Sequence, residues 1–209
     1  MRTEPTNQPL AEEIGQVDMR ERLLATASDL FYHRGVRAVG VDVIIEAAGV
    51  AKTSLYRHFR TKDDLIAAYL QREDADFWGL WDSVAARHAG DGEAELDAHM
   101  AWIGERVGRP RYRGCPQINV AAEFPDEDHP ARLVARTHKQ QLHRRLQDIA
   151  QRLQVKHPDV LATQLSVLIN GAFVSSQILS TCDATAILRQ MTHALISAAR
   201  IASAGVSRA

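Results

Sequence analysis

The sequence predicts an all-α fold, and three observations carry that prediction. Apolar residues recur three and four apart over most of the chain, whereas strand-like alternation between turn residues is hard to find. Proline and glycine gather in short breaks, "AGDGE" at 89–93, "GRPRYRGCP" at 108–116, "FPDEDHP" at 124–130 and "KHPD" at 156–159, which cut the periodic stretches into helix-sized pieces. Helix-start signals stand ahead of two of those pieces, Asp18 with Glu21 and Thr61 with Asp64, each at capping-box spacing.

The elements follow in order. Residues 1–17 hold two prolines, few bulky apolar groups and Arg2 as their only cation, and read as a disordered arm. A first helix starts at Asp18, buries a stripe of Leu23, Leu24, Ala27, Leu30 and Phe31, and stops at Gly35. A short helix over 41–48 has Val43, Ile44 and Ala47 as its expected inner face. Gly49 punctuates, and a third helix over 52–59 turns Leu55 and Phe59 inward. Longer helices are expected over 62–88 and 93–107, a short one over 117–123, and long ones over 131–155, 158–179 and 184–204. The helix over 131–155 takes Leu133, Val134, Leu142, Leu146, Ile149 and Leu153 as its apolar members.

Bulk properties narrow the function. The 209 residues carry a net charge of -1, so any polyanion binding must be local. Cys115 and Cys182 make no disulfide framework, which suits a reducing cytoplasm. No apolar run reaches the length of a membrane span, and the N-terminus has no hydrophobic signal core. The expected location is cytoplasmic.

The stretch "GVAKTSLYRHF" at 49–59 concentrates the chemistry. Two short helices joined by a tight turn and braced by a preceding helix form a helix-turn-helix. With Leu55 and Phe59 inside, Thr53, Ser54, Tyr56, Arg57 and His58 face outward. Lys52, Arg57, Arg60 and Lys62 are cations with no acid between 52 and 62. Hydroxyls and cations on such a helix suit phosphates and base edges. Ser54 and His58 are one turn apart, but they lack an orienting acid and an oxyanion-hole motif, so no catalysis is expected here. Ala51 stands where a capping hydroxyl is common.

Residues 20–65, "RERLLATASDLFYHRGVRAVGVDVIIEAAGVAKTSLYRHFRTKDDL", resemble the TetR family of one-component transcriptional regulators. "GCPQINVAAEFPDEDHP" is also similar to a subgroup of that family. The resemblance implies an N-terminal helix-turn-helix DNA-binding domain over 18–64 and a helical ligand-binding and dimerisation domain over 65–209. It implies that Lys52, Thr53, Ser54 and Arg57 approach bases or flanking phosphates, that Tyr56 and His58 touch phosphates, and that Lys62 meets the backbone. Gly40 and Val41 would offer backbone N–H groups. The hydroxyls common in the family near 40–41 and at 51 are missing here.

Beyond residue 65, Phe77, Trp78, Trp81 and Trp102 are core aromatics by spacing alone. The resemblance adds that some enclose an effector, and Phe77, Trp81, Trp102, Asn119, Glu123, Phe173 and Gln177 are the expected ligand-binding set. Asn119 and Glu123 share a face and are expected to orient the ligand. His99, His138 and Asn170 are further polar candidates. Cys115, His129, His138 and His143 have no metal-ligand spacing, so neither metal nor cofactor is expected. Cys115 beside Arg111 and Arg113 could sense oxidants, though a structural role in its Gly-Cys-Pro turn is the commoner case.

Two stripes close the chain: Leu161, Leu165, Leu168, Ala172, Ser176 and Leu179, then Ile187, Leu188, Met191, Leu195, Ala198 and Ala199. Val167, Ile169, Phe173 and Ile178 lie off these stripes and point to a second apolar face. The resemblance implies a homodimer through this helix pair, a palindromic double-stranded DNA operator, and repression relieved by a small-molecule effector. The alternative is a helical small-molecule-binding protein or enzyme without sequence-specific DNA binding.

Overall fold

The computed structural model describes residues 8–179 and 181–204; the side chains of residues 8–17, of Gln177 and of residues 201–204 fall outside that description. The described chain is helical: α1 (Gln8–Arg34), α2 (Val41–Ala48), α3 (Lys52–His58), α4 (Lys62–Arg87), α5 (Gly92–Val107), α6 (Pro116–Glu123), α7 (Pro130–Arg152), α8 (Pro158–Val174), α9 (Ser176–Leu179) and α10 (Ala184–Ala204). No strand occurs among the described residues, in keeping with the all-α expectation.

Local chemistry explains most boundaries. The Thr61 side chain accepts from the Asp64 N–H, and Asp64 accepts from the Thr61 N–H, a complete capping box for α4. Asp91 caps α5 through the N–H groups of Glu93 and Ala94. Gly49 ends α2 at φ 63°, in the left-handed region that glycine enters freely.

Five expectations are corrected. The first helix begins at Gln8, not Asp18. Leu10, Ala11, Glu12 and Glu13 are strong helix formers, and Pro9 lies in the first turn, where its missing N–H costs little. Residues 8–17 of the expected arm are therefore helical, and its residues 1–7 lie outside the described residues. Glu21 pairs with Arg72 instead of closing a capping box. On α2, Ile44 and Ala48 are buried, whereas Val43 and Ala47 are exposed. Leu133 is exposed on α7. The helix expected over 158–179 breaks at Ser175, whose N–H bonds to the Gly171 carbonyl before α9 restarts.

Two hydrophobic cores share α4. Leu65, Ile66, Tyr69 and Leu70 join Leu23, Phe31, Ile44, Leu55 and Phe59, with Val120 of α6 and Ala131 of α7 completing that core. Phe77, Trp78, Trp81 and Val84 lie further along α4, and all but Val84 join Leu96, Ile103, Leu146, Leu165, Phe173 and Leu188 in the second core. The division falls between Leu70 and Phe77, within one continuous helix. α10 packs along α5 and α8. Arg189 grips Asp97 of α5 through two hydrogen bonds of 2.6 and 2.7 Å.

Candidate nucleic-acid interface and ligand chamber

The helix-turn-helix is built from burial outward. Leu55 is fully buried and Phe59 nearly so, under the Arg20 guanidinium, which lies 5.0 Å from the ring centre. That fixes the rotation of α3. Lys52, Thr53, Tyr56 and Arg57 are exposed, while Ser54 and His58 are half-buried. Among the described residues no hydrogen bond joins Ser54 to His58. Lys62, half-buried at the start of α4, has its pKa lowered by that burial.

Neither short helix has a side-chain cap. Gly40 and Ala51 occupy the two N-cap positions in extended conformation without a capping hydrogen bond. Val41 is half-buried at the first position of α2. First-turn N–H groups there are left to outside acceptors. One contact was not legible in the sequence: Asp42 of α2 bonds the Lys52 ammonium at 3.0 Å. The basic face of α3 thus starts with a lysine already paired to an acid, and the exposed Arg57 and, just past the helix, Arg60 follow it.

The expected ligand residues divide among three places. Phe77 and Phe173 line a chamber in the second core, together with Glu73, Arg106, Tyr112, Cys115, Pro116, Gln117 and His138. Trp81 lies deeper, stacked on His99 with ring centres 3.7 Å apart. Trp102 is half-buried and packs on Phe77 at 5.1 Å. Gln177 sits on α9 with its side chain outside the described residues. Asn119 and Glu123 line a different, small cleft against Phe31, Tyr32, Gly35 and Tyr69 of the N-terminal core.

Glu123 joins the two halves of the chain. Its carboxylate accepts from the Val36 N–H at 3.2 Å and the Arg37 N–H at 2.9 Å, and its carbonyl accepts from the Arg37 guanidinium at 3.2 Å. A second joint lies beside it. The Tyr32 hydroxyl of α1 accepts from the Arg113 N–H at 2.9 Å and donates to the Gly114 carbonyl at 3.4 Å. Asn119 donates to the Arg113 carbonyl at 2.8 Å. Gly114 has φ +92°, and a Cβ there would stand 3.1 Å from the Phe173 carbonyl, so this turn admits only glycine without strain.

Polar groups in the chamber carry fixed roles. Asp74 Oδ1 accepts from the Trp78 indole at 2.7 Å and meets His138 Nδ1 at 2.6 Å. The proton of His138 therefore sits on Nδ1, and burial lowers its pKa, so Nε2 is a bare acceptor. Gln117 donates to the Leu70 carbonyl at 2.9 Å. Buried His138 Nε2 and Gln117 Oε1 have no partner. Cys115 is buried with the Lys139 ammonium 3.6 Å from its sulfur, where the sequence suggested Arg111 and Arg113; Lys139 also bonds Asn170. Among the described residues no group of three His, Cys, Asp or Glu side chains could hold a metal ion. No described helix is long and apolar enough to cross a membrane.

Sequence reasoning missed Glu73, Arg106, Tyr112 and Gln117 as chamber residues. Gln117 carried a faint signal, a polar residue directly after a helix-starting proline. Glu73 and Arg106 come together through the packing of α4 against α5, and Tyr112 joins them from the loop between α5 and α6.

Comparison with known proteins agrees with this arrangement. Residues 23–69 match the family described as bacterial regulatory proteins, tetR family. The chain is 47% identical over 55 residues to the HTH-type transcriptional activator FasR of Mycolicibacterium smegmatis, covering 26% of this chain and 25% of that protein. It is 34% identical over 93 residues to the HTH-type transcriptional repressor KstR2 of Rhodococcus jostii, covering 44% of this chain and 45% of that protein. The chain thus spans less than half the length of these two curated relatives. A TetR transcriptional regulator of Streptomyces avermitilis, known from its crystal structure, superposes with a TM-score of 0.74 at 32% identity, covering 87% of this chain and 97% of that one. Sequence likeness gathered on the helix-turn-helix, and structural likeness running through the whole helical body, together place this chain in the TetR family of DNA-binding transcriptional regulators.

Proposed function

We propose that this protein is a homodimeric repressor that binds a palindromic operator and is released by a small-molecule effector. The observation that carries the reading is the pairing of an outward polar α3 with a chamber whose walls are tied to α1. Thr53, Tyr56 and Arg57 supply the outer face of α3, with Ser54 and His58 at its edge. Gly40 and Val41 offer N–H groups, and Lys62 flanks them. Lys52 joins by exchanging Asp42 for a phosphate. The repressor KstR2 supports the direction of control, whereas FasR is named an activator; transcription from the bound promoter with and without the protein decides between them.

We place the effector at Phe77 and Phe173, with Asn119 and Glu123 acting as the joint to the DNA-binding half rather than as its first contacts. The functional division lies near residue 70, where the two cores part. Coupling follows from linkage: a ligand that fits a state with displaced α1 lowers operator affinity by its preference for that state. Dimerisation runs through α8 and α10, whose outer faces show Val167, Val174 and Met191 to solvent.

A shift assay with DNA flanking the protein's own gene tests the reading. A discrete complex that survives excess unrelated DNA is expected, and Tyr56→Ala should weaken it with helicity unchanged. Equal affinity for specific and unrelated DNA would return the chain to a helical ligand-binding protein or enzyme. Salt sensitivity alone does not discriminate, because non-specific binding shares it.

A further inference from the structure

Beside the chamber lies a cleft of about 480 Å³ lined by Tyr32, His33, Glu73, Arg106, Arg109, Pro110, Arg111 and Tyr112. Glu73, Arg106 and Tyr112 belong to both linings and form the partition between cleft and chamber. Three arginines face one carboxylate in the cleft. Burial raises the pKa of that carboxylate, Glu73, so it holds a proton more readily than a free one. Arg111 has φ 63°, a left-handed conformation that a long side chain adopts at a cost. Glycine or asparagine would fit that turn better, and the cation is what they would lack.

The inner chamber is nearly closed, with about 10 Å³ of free space, room for one water. Its walls are Phe77, Phe173, Tyr112 and Pro116. Gln117 Oε1, His138 Nε2 and the Tyr112 hydroxyl all lack partners; the first two are acceptors, and the hydroxyl is within hydrogen-bond reach of neither. Two buried bare acceptors in one chamber call for a donor from outside the protein.

We propose that this site takes an apolar carboxylate whose far end carries a hydroxyl. The carboxylate lies among Arg106, Arg109 and Arg111. The flat apolar body passes Tyr112 to lie against Phe77 and Phe173. The hydroxyl donates to Gln117 or His138. Because the chamber is closed, the body displaces Tyr112, and Arg113 and Gly114, the next two residues, are those held by Tyr32 of α1. This rests on the effector reading above and supplies its chemistry.

Calorimetry on the full-length protein without DNA tests it, with 4-hydroxyphenylacetate, phenylacetate and tyramine as probes. The first should bind. Phenylacetate, lacking the hydroxyl, should bind about tenfold or more weakly, and tyramine, with an ammonium in place of the carboxylate, should not bind. Arg111→Gly relieves the strained turn, so it should keep or raise the melting temperature while weakening 4-hydroxyphenylacetate about tenfold. Gln117→Met should narrow the gap between the two carboxylates. Tyramine binding as tightly as the acids, equal affinity for both acids in the unmodified protein, or no binding of any probe at millimolar concentration would each overturn the proposal. Since no DNA is present, failure here is separable from failure of the repressor reading, which the shift assay measures.

Discussion

Ala51 begins α3 without a side-chain oxygen to meet its first free N–H groups. It is exposed and extended, so serine fits there with no change of backbone. Ala51→Ser should stabilise the fold by about 1 kcal/mol, read from urea unfolding, and leave operator affinity unchanged or tighter. A loss of affinity would mean that the turn meets DNA through the alanine methyl. His99 shows the opposite case, a polar group kept where it is costly. It is fully buried against Trp81 with both ring nitrogens lacking hydrogen-bond partners, and burial lowers its pKa to about 3. The folded state then refuses a proton that the unfolded chain accepts below pH 6.5. Stability is therefore lost as pH falls from 6.5 toward 3, by up to about 1.4 kcal/mol per unit. His138, also lowered, adds to the same trend. His99→Phe keeps a ring on Trp81 and removes the titration. Between pH 6.5 and 5 it should recover about 2 kcal/mol of that loss. An unchanged pH slope in urea unfolding would place the proton elsewhere.

At the scale of elements, α6 is the joint. Its last residue, Glu123, satisfies two backbone N–H groups just after α1, beside Gly35 at φ +87°. Glu123→Ala removes both acceptors and should cost about 1–3 kcal/mol in equilibrium unfolding. It should also uncouple effector from operator, so that a ligand still binds but releases less DNA. Unaltered stability together with unaltered release would leave α6 as a mere connector. Such a joint was not legible in the sequence, because its partners are 86 and 87 residues apart. What was legible was local. Gly49 and the Thr61–Asp64 box set the ends of α2 and the start of α4 to the residue, since both signals act within one turn. The start of α1 was misplaced because Asp18 has capping spacing inside a run of residues that already favour helix. The break at Ser175 has no proline or glycine to announce it. It falls just after Phe173, whose carbonyl lies close against Gly114, a contact across the fold and not a local signal. For the same reason the family resemblance pointed to Phe77 and Phe173, which line the chamber, but not to Gln117 or Arg106, whose places depend on what packs across from them.

For the molecule as a whole, the outer face of α8 and α10 is the unfinished surface. Val167 is 67% exposed, Val174 68% and Met191 48%, and Leu168, Ala194 and Leu195 fill the apolar cleft between the two helices. A contiguous apolar patch of this kind marks a partner surface, and a two-fold dimer would place each face against its own copy. The buried stripe of α10 runs through Ala184, Leu188, Thr192 and Ile196, so Met191 is spare for such a contact, with the half-buried Leu195 beside it. Val167→Glu tests this cleanly. The side chain is solvent-facing within one chain, so the monomer should keep its helicity and its core. In a two-fold dimer the change occurs twice on one apolar face and buries two carboxylates without partners. Sedimentation should then show monomers at concentrations where the unaltered protein is dimeric. Operator affinity should fall with dimerisation, by roughly 10²–10⁴, because each half-site must be bound independently once the second recognition helix is no longer tethered to the first. A variant that stays dimeric and binds its operator as before would move the interface off α8. A variant that is monomeric yet binds DNA at full affinity would instead show that one helix-turn-helix suffices, and the palindrome would lose its physical basis.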